Sequence, residues 1–432
     1  MTLTLRAAMA FTGQELPPIE VSGGDSLRQL RVKVAEACGV APHLVNLLRE
    51  SWPLKEQGIV GEELDDGCMV QVALAVPGKE IITASQDGSA RVWNADTGHC
   101  MFHLTPPSTS GAVHSVLLSR CGKVAVTGSA DGSIRSWCLE DGSSKLLEGH
   151  SRAVAQMRLS PDGSKLLSAS DDSTVRCWHL QDGRCLLALE HPDAFERGVR
   201  SVAFAPDGRC FVAAGANGVV VQYSTETGEI LASLHGHSAA VHTVVFAAEG
   251  RRILSASDDR TARIWHTAPG RPCMILGDPG RCLCLLCDLR ERDEGDGSGP
   301  AFAAAFSPEG EQALVAHFAR CARLYCASSG YCHHVFHHKD AVLAVDFSPD
   351  GLLALTASDD TTCALWRVSD GQLVFQLMGH NAGVNTACFL PDGTQVLSAS
   401  DDREARLWSI SGNCLQVFSG HQKRLHSADF CR

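Results

Sequence analysis

LLSASDDSTVRCW, which runs from Leu166 to Trp178, decides the fold because copies of it recur along the chain. Close copies end at three tryptophans: ILSASDDRTARIW at Trp265, ALTASDDTTCALW at Trp366 and VLSASDDREARLW at Trp408. Weaker copies end at Trp93, Trp137, Tyr223 and Tyr325. Eight copies in 432 residues indicate an array of similar structural units.

The spacing of the copies indicates the architecture. The closing aromatic residues lie 41 to 45 residues apart, except for one interval of 60. Four short strands with their turns need about 40 to 45 residues, the period of a β-propeller blade. In the copy ending at Trp178, a PDG turn and a tight turn at Asp171 and Asp172 separate apolar segments typical of buried strands. The sequence therefore predicts a mainly β fold, with an eight-bladed propeller over residues 79–432.

The motifs inside each copy resemble those of the WD-repeat family. The unit that contains His150 has a Gly-His pair, the PDG turn, an SxSxD motif and the closing Trp178. No copy has the family's aspartate after its tryptophan; Asn94 and His179 are examples of what stands there instead. That position varies among such repeats, so the resemblance holds.

This resemblance implies a hydrogen-bonded set in each blade, made of the Gly-His histidine, a strand serine, the turn aspartate and the tryptophan indole. In the copy ending at Trp178, the serine is either Ser168 or Ser170. The candidate sets are His150, Asp172 and Trp178; His237, Asp259 and Trp265; His338, Asp360 and Trp366; His380, Asp402 and Trp408; and His421, Asp87 and Trp93. Serine, histidine and aspartate also form hydrolase triads. A catalytic triad is needed once, whereas a network that fixes blade geometry is needed repeatedly, so we predict no enzymatic activity.

The two ends of the repeat region complete each other. The segment that begins at Lys79 has three predicted strands and no Gly-His pair, whereas GHQKRLHSADFCR near the other end has the pair and one strand. We predict that strand 424–430 pairs with the strands of the first blade. Such pairing closes the ring and removes an exposed sheet edge.

Residues 1–76 lack the repeat and are predicted to form a separate domain. Predicted strands at 2–5 and 19–21 precede DSLRQLRVKVAEACG, in which Leu27, Leu30, Val34 and Cys38 share one helical face. The strands LVNLLRE and CMVQVALA follow. This order of elements resembles the small α+β ubiquitin-like (β-grasp) fold.

Two departures from ubiquitin bear on the role of this domain. The chain continues beyond Ala75 through VPGKE without a free Gly-Gly tail, which argues against conjugation to other proteins. The hydrophobic patch by which ubiquitin is recognised would fall near Leu48, Gln71 and Ala73, and only Leu48 has a suitable side chain. We therefore predict a docking module, with Leu48 as a candidate protein contact.

Composition excludes several classes of protein. A net charge of −12 and a pI near 5.9 argue against nucleic acid or an anionic membrane as a general partner. MTLTLRAAMAFTG lacks the apolar core of a signal peptide, and no apolar run has the length of a membrane span. Nineteen scattered cysteines fit buried thiols in a reducing compartment. We expect a cytoplasmic or nuclear protein without a cofactor or direct membrane contact, monomeric within larger complexes.

Carboxylates precede the turn aspartate in four copies: Asp171, Asp258, Asp359 and Asp401. The family resemblance places this position on the loop face of the propeller. We hypothesise that these residues surround the central opening and favour a basic peptide segment. The alternative is that Asp-Asp is simply common in such turns.

The long interval between Trp265 and Tyr325 contains a Cys-x-Cys-x-x-Cys motif at Cys282, Cys284 and Cys287. Together with the Cys/His stretch at 332–338, the insertion 281–300 could supply thiolate and imidazole ligands to a metal. Cys287 is out of phase with the other two on a strand, and there is no second Cys-x-x-Cys. The residues therefore favour a structural role over a metal site, and we predict no bound metal.

The sequence contains no glycine-rich phosphate loop or isolated catalytic cluster. We predict a scaffold or adaptor that binds proteins or peptides on the propeller faces. Two alternatives stay open. One is a ribosome-assembly factor of the Notchless type, in which a ubiquitin-like domain precedes an eight-bladed propeller and docks on a remodelling ATPase. The other is a substrate adaptor in ubiquitin ligation, a role that propellers often have.

Overall fold

A computed structural model describes most of the repeat region and parts of the N-terminal segment. The described residues are 2–9, 19–22, 30, 33–34, 45–49, 52–53, 69–74, 80–106, 111–119, 122–192, 198–267, 273–276 and 299–430. The chain divides into two compact units, Met1–Lys79 with Cys138–Ser143 and Glu80–Trp137 with Ser144–Arg432. No helix among the described residues is long and apolar enough to cross a membrane.

The first unit contains a five-stranded sheet. Its strands are β1 (Thr2–Met9), β2 (Ile19–Ser22), β3 (Val45–Arg49), β4 (Trp52–Pro53) and β5 (Met69–Leu74). They lie in the order β2-β1-β5-β3-β4; β1 and β5 are parallel and the other pairs are antiparallel. Proline cannot donate to a ladder, which agrees with the edge position of β4. Leu30 and Val34 are helical and buried, whereas Leu27 and Cys38 lie outside the described residues.

Among its described residues, the second unit contains eight four-stranded antiparallel sheets, which confirms the predicted eight-bladed propeller. Blade 1 contains β37 (Leu425–Phe430), β6 (Glu80–Ser85), β7 (Ala90–Asn94) and β8 (Cys100–Leu104); blade 2 contains β9 (Val113–Leu118), β10 (Val124–Ser129), β11 (Ile134–Cys138) and β12 (Ser144–Leu147). Blade 3 contains β13 (Val154–Leu159), β14 (Lys165–Ser170), β15 (Thr174–His179) and β16 (Cys185–Glu190); blade 4 contains β17 (Val199–Phe204), β18 (Cys210–Gly215), β19 (Val220–Ser224) and β20 (Ile230–Leu234). Blade 5 contains β21 (Val241–Phe246), β22 (Arg252–Ser257), β23 (Ala262–His266) and β24 (Met274–Leu276); blade 6 contains β25 (Ala301–Phe306), β26 (Gln312–His317), β27 (Cys321–Cys326) and β28 (Cys332–His337). Blade 7 contains β29 (Val342–Phe347), β30 (Leu353–Ser358), β31 (Cys363–Arg367) and β32 (Leu373–Leu377); blade 8 contains β33 (Val384–Phe389), β34 (Gln395–Ser400), β35 (Ala405–Ser409) and β36 (Cys414–Phe418).

Strand position within a blade follows from side-chain pattern. The second strand, such as β14 with the sequence KLLSAS, is buried on both faces after its first residue, because small and aliphatic side chains fit between two neighbouring sheets. The fourth strand, such as β16, alternates half-buried and exposed residues, as an outer strand with one solvated face does. The first strands of neighbouring blades contact one another and lie innermost.

The hydrophobic cores lie between neighbouring blades and continue across the join of the ring. Between blades 8 and 1, Leu397 and Leu407 share a core with Ile81 and Phe430. Strand β37 pairs antiparallel with β6, with Phe430 opposite Ile81. Residues from the two ends of the repeat region therefore form one sheet.

The turn between the second and third strands has the same backbone shape in every described blade. Its third residue has a positive φ, which glycine adopts freely, as at Gly132 and Gly218. Glycine is also needed sterically at Gly132, because an added Cβ would lie 2.7 Å from the His150 carbonyl oxygen. Five blades adopt this conformation with other residues: Ser173, Arg260, Arg320, Thr361 and Arg403. The residue that starts this turn therefore has an equivalent position in each of these blades.

Candidate functional site

The predicted polar set of blade 3 forms a continuous chain of hydrogen bonds. The Trp178 indole N–H donates to Ser168 Oγ at 2.9 Å, and Ser168 Oγ lies 2.7 Å from His150 Nε2. His150 Nδ1 lies 2.9 Å from Asp172 Oδ2. Because the carboxylate only accepts, Nδ1 donates to it, and Nε2 then accepts from the serine hydroxyl. One direction of donation, from indole to carboxylate, satisfies all four groups.

The structure distinguishes the two candidate serines of this set. Ser168 joins Trp178 and His150, whereas Ser170 Oγ donates to the Arg152 carbonyl and accepts from the Asp172 N–H. Both hydroxyls are buried. Ser168 therefore belongs to the network, and Ser170 holds the turn.

The other four predicted sets have the same connections. A serine or threonine that the sequence analysis did not assign supplies the central hydroxyl in each of them. The histidine-to-hydroxyl distances are 2.9 Å for His421 and Thr83, 2.7 Å for His237 and Ser255, 2.7 Å for His338 and Thr356, and 2.8 Å for His380 and Ser398. The histidine-to-aspartate distances are 3.1 Å to Asp87, 2.7 Å to Asp259, 2.9 Å to Asp360 and 2.8 Å to Asp402. The indoles of Trp93, Trp265, Trp366 and Trp408 donate to the same hydroxyls.

Blade 4 has a variant that sequence reasoning missed. His191 is buried there, and its Nδ1 lies 3.1 Å from the Pro192 carbonyl oxygen, to which Asn217 Nδ2 also donates at 3.0 Å. Tyr223 replaces the tryptophan, and its buried hydroxyl has no hydrogen-bond partner among the described residues. The signal was weak because Glu precedes His191, and 26 positions separate it from Asn217 instead of 22.

The electrostatics of the networks favour an ionised aspartate. Burial alone would raise the pKa of the Asp172 carboxyl, but hydrogen bonds from His150 and Thr174 outweigh it and hold that pKa below its usual range. At Asp402, burial is likewise outweighed by the hydrogen bond from His380, and the pKa falls to about 2. Burial lowers the pKa of His421 to about 4, although Asp87 opposes the shift. The networks thus consist of enclosed, mutually satisfied groups, and their serine hydroxyls have no exposed surface for a substrate to reach.

The carboxylates predicted to surround the opening have different surroundings. Asp171 and Asp258 line a cavity of about 670 Å³ together with Arg152 and Arg200. Asp258 Oδ1 also lies 2.7 Å from His242 Nε2.

The remaining two carboxylates, Asp359 and Asp401, lie near each other. Asp401 Oδ1 accepts from Asn385 Nδ2 at 2.6 Å. Burial, together with the charges of Asp340 and Asp401, raises the pKa of Asp359. Asp171 and Asp258 therefore share their cavity with two arginines, whereas Asp359 lies near Asp340 and Asp401, and binding of a basic peptide stays a prediction.

The other predicted sites are located as follows. Leu48 lies in β3, opposite Gln71 in β5, and its role as a contact stays a prediction. Cys282, Cys284 and Cys287 lie outside the described residues. Cys332 is buried in β28, the strand that also carries His333, His334 and His337. Among the described residues, no group of three or more potential ligands could hold a metal ion.

Comparison with known proteins gives one family and a set of partial relatives. The family described as "WD domain, G-beta repeat" matches residues 98–138, 142–179, 183–224, 228–266, 330–367 and 371–409, together more than half of the chain. WD repeat-containing protein 37 of Homo sapiens is 29% identical over 201 residues, 40% of each chain. Serine-threonine kinase receptor-associated protein of Gallus gallus is 35% identical over 85 residues, 19% of this chain and 24% of that protein. WD repeat-containing protein 1 of Xenopus tropicalis is 40% identical over 75 residues, 17% of this chain and 12% of that protein.

The matched regions therefore span between 12% and 40% of the lengths of these relatives. Among solved structures, the crystal structure of the computationally designed Ika8 protein aligns with a TM-score of 0.60 at 21% identity. The alignment covers 73% of this chain and 89% of that one. This likeness concerns the fold alone.

Proposed function

Because this chain belongs to the WD-repeat family, we propose that it is a non-enzymatic scaffold that binds other proteins on the faces of its propeller. The observation that carries the proposal is the contrast between framework and loops. The Ser/Thr, His, Asp and Trp side chains that could suggest catalysis are bonded to one another in five blades, and their Ser/Thr hydroxyls are buried. The loop-face position at the start of the turn instead varies, from Asp171 and Asp258 to Ala216 and Phe318. A repeated framework with variable loops suits recognition of partners.

We propose further that residues 1–76 form a ubiquitin-like docking module preceding the propeller of residues 79–432. The sheet order β2-β1-β5-β3-β4, with its parallel central pair, and the buried helical residues Leu30 and Val34 support this interpretation. We expect the protein to act in the cytoplasm or nucleus, as one copy within larger complexes.

Two more specific functions are kept as alternatives. The order of a ubiquitin-like module and an eight-bladed propeller favours a ribosome-assembly factor of the Notchless type. A substrate adaptor in ubiquitin ligation is kept because propellers often have that role, although the poor ubiquitin-type patch, in which only Leu48 has a suitable side chain, counts against it. The relative from Gallus gallus is named for association with a serine-threonine kinase receptor, which is a protein–protein interaction of that protein.

Affinity capture followed by mass spectrometry tests these proposals. The full chain and a chain lacking residues 1–78 would be captured in parallel, with circular dichroism to check that the shorter chain is folded. We expect partners in near-stoichiometric amounts, some of them lost with residues 1–78. Pre-ribosomal particles would select the first alternative and ligase subunits the second. Recovery of the chain alone, without any partner, would contradict the scaffold function.

A further inference from the structure

Blade 6 presents an aromatic ring where four other blades present a carboxylate. The residue at the start of the turn after the second strand is aspartate at Asp171, Asp258, Asp359 and Asp401, but in blade 6 it is Phe318. Its side chain is 52% exposed. A single exposed apolar residue is normal on a protein surface. The surroundings of Phe318 are what distinguish it.

Phe318 is the outer member of a row of three rings. The Phe302 ring, on innermost strand β25, lies 5.6 Å from the Phe318 ring, centroid to centroid, and 4.7 Å from the His242 ring. The other two residues of the row, Phe302 and His242, are supported by hydrogen bonds. Thr243 Oγ1 donates a hydrogen bond to the Phe302 carbonyl at 2.8 Å, and His242 Nε2 lies 2.7 Å from Asp258 Oδ1. The exposed Phe318 ring therefore packs against a supported neighbour, which lowers the entropic cost of ordering it when a partner binds.

The segment that joins blades 6 and 7 brings carboxylates to this ring. Its start is tied to the turn of Phe318, because the His338 N–H donates to the Arg320 carbonyl at 2.9 Å. Its end is tied to the next turn, because the Asp359 N–H donates to the Ala341 carbonyl at 2.9 Å. Asp340 lies between these two bonds. In the next blade along, the residue equivalent to Ala341 is Gly383, and a Cβ there would contact Asp359, the counterpart of Phe318. The repeat geometry therefore places Phe318 against Ala341, beside Asp340 and Asp359.

The carboxylates of Asp340 and Asp401 lie close enough to Asp359 to raise its pKa. Within residues 299–430, none of them forms a salt bridge with a lysine or arginine. Asp340 and Asp359 are both exposed. Their mutual repulsion, described above for Asp359, would be relieved by a positive charge placed between them.

We propose that Phe318, Asp340 and Asp359 bind an arginine side chain from an extended segment of a partner protein. This inference rests on the scaffold function proposed above. A guanidinium stacks on an aromatic face while its N–H groups in the same plane donate to carboxylates. A lysine side chain has the same charge as arginine but lacks its planar array of N–H donors. An aliphatic side chain would contact only the aromatic ring. Arg152 and Arg200, across the loop face beside Asp171 and Asp258, disfavour a segment that is basic along its whole length.

Selection from a random twelve-residue peptide library displayed on phage, with the full chain as bait, tests the proposal. We expect arginine to be enriched at one position. The selected peptide and its Arg→Lys and Arg→Ala versions would then be titrated by fluorescence polarisation. Replacing that arginine by alanine should weaken binding by about tenfold or more, and lysine should be intermediate.

Variants of the propeller locate the site. Phe318→Ala should weaken binding of the arginine peptide by about tenfold, and Asp340→Asn and Asp359→Asn by about threefold each. Tyr331→Ala is the matched control, because Tyr331 is an aromatic residue of the same blade with 40% exposure but lies at the turn between the third and fourth strands. It should leave affinity unchanged within about twofold. Urea unfolding midpoints establish that each variant is folded.

Several results would overturn the inference. They are an absence of arginine-dependent binders, equal affinity for Phe318→Ala and the parent chain, or selection of acidic peptides whose binding requires Arg152 and Arg200. Affinity capture with the same variants separates this failure from that of the scaffold function. Partners recovered equally by the parent chain and Phe318→Ala leave the scaffold intact and reject the arginine site, whereas no partners with either chain reject the scaffold itself.

Discussion

Replacing Ser168 by alanine removes one oxygen atom from which two buried partners take their hydrogen bonds. The Trp178 indole N–H loses its acceptor at 2.9 Å, and His150 Nε2 loses its donor at 2.7 Å. Ser168 and the His150 side chain are fully buried, and Trp178 is 1% exposed, so solvent does not replace the lost bonds. A buried polar group left unsatisfied costs about 1–3 kcal/mol, so the two together lower the free energy of unfolding by about 2–6 kcal/mol.

Two matched variants separate the hydrogen bonds from other effects of the substitution. Ser168→Thr keeps the hydroxyl, and threonine occupies the equivalent position in blade 7, where Thr356 makes the same two bonds. Ser168→Thr should lower the free energy of unfolding by about 1 kcal/mol or less. Ser164→Ala removes a hydroxyl from a surface turn, where Ser164 Oγ donates to Asp162, and should change stability by about 0.5 kcal/mol or less.

Urea unfolding followed by circular dichroism measures all three variants under one set of conditions. The order of stability should be the parent chain, then the threonine and surface variants, with Ser168→Ala far below. If Ser168→Ala is no less stable than Ser164→Ala, the network does not stabilise the blade and the reasoning fails. Equal losses for alanine and threonine would show that the site is limited by packing and not by hydrogen bonding.

Three further predictions follow from other parts of the structure. Stability should fall in two stages on acidification. Burial lowers the pKa of His317 and His421 from 6.5 to about 4, so the unfolded chain takes up protons first as pH falls from 6.5 towards 4. Below pH 4 the Asp402 carboxyl is protonated in the unfolded chain, whereas in the folded chain its pKa is lowered from 3.8 to about 2, so stability falls again. Urea midpoints recorded from pH 8 to pH 3 would show this, and a midpoint that stays constant down to pH 4 would contradict it. Phe430→Ala should lower the free energy of unfolding by about 3–5 kcal/mol, because the Phe430 ring is buried in the same core as Ile81 at the join of the propeller. The control Leu415→Ala should have little effect, because Leu415 is 47% exposed. Similar losses for both variants would argue against closure of the ring by β37. Burial would raise the pKa of the Cys326 thiol, but hydrogen bonds from Ser328 and Ser329 lower that pKa to about 6, whereas burial raises the pKa of Cys177 to about 11. Iodoacetamide at pH 7 should therefore modify Cys326 far faster than Cys177, as measured by peptide mass spectrometry. Ser328→Ala should slow the modification of Cys326.

The blades and their networks were predictable because they depend on short, repeated spacings. Asp172 and Trp178 lie six positions apart, and the same interval recurs at Asp259 and Trp265, so neighbouring copies reinforce one another. The choice between Ser168 and Ser170 was not predictable, because both lie on the same face of one strand and only the position of the indole distinguishes them.

Features that combine residues of several blades could not be predicted from the local sequence around any one of those residues. The row of rings that supports Phe318 combines strands of blades 5 and 6, and nothing in the local sequence around Phe318 signals it. The charges that surround Asp171 and Asp258 come from Arg152 and Arg200, which belong to different repeats. A repeated motif identified the turn positions, whereas their environment depends on the closed ring.

The pairing of β37 with β6 sets an order of events during synthesis. Thr83 in β6 meets His421, just before β37, across 338 positions of sequence. At about 5–20 residues per second, a ribosome needs about 20–70 s to cover that distance. Throughout this time the unpaired backbone of β6 can add a strand from another nascent chain. Blade 1 is thus the first sheet of the propeller to emerge and the last to be finished, and a chaperone that covers the edge of β6 would protect the growing protein until Phe430 has left the exit tunnel.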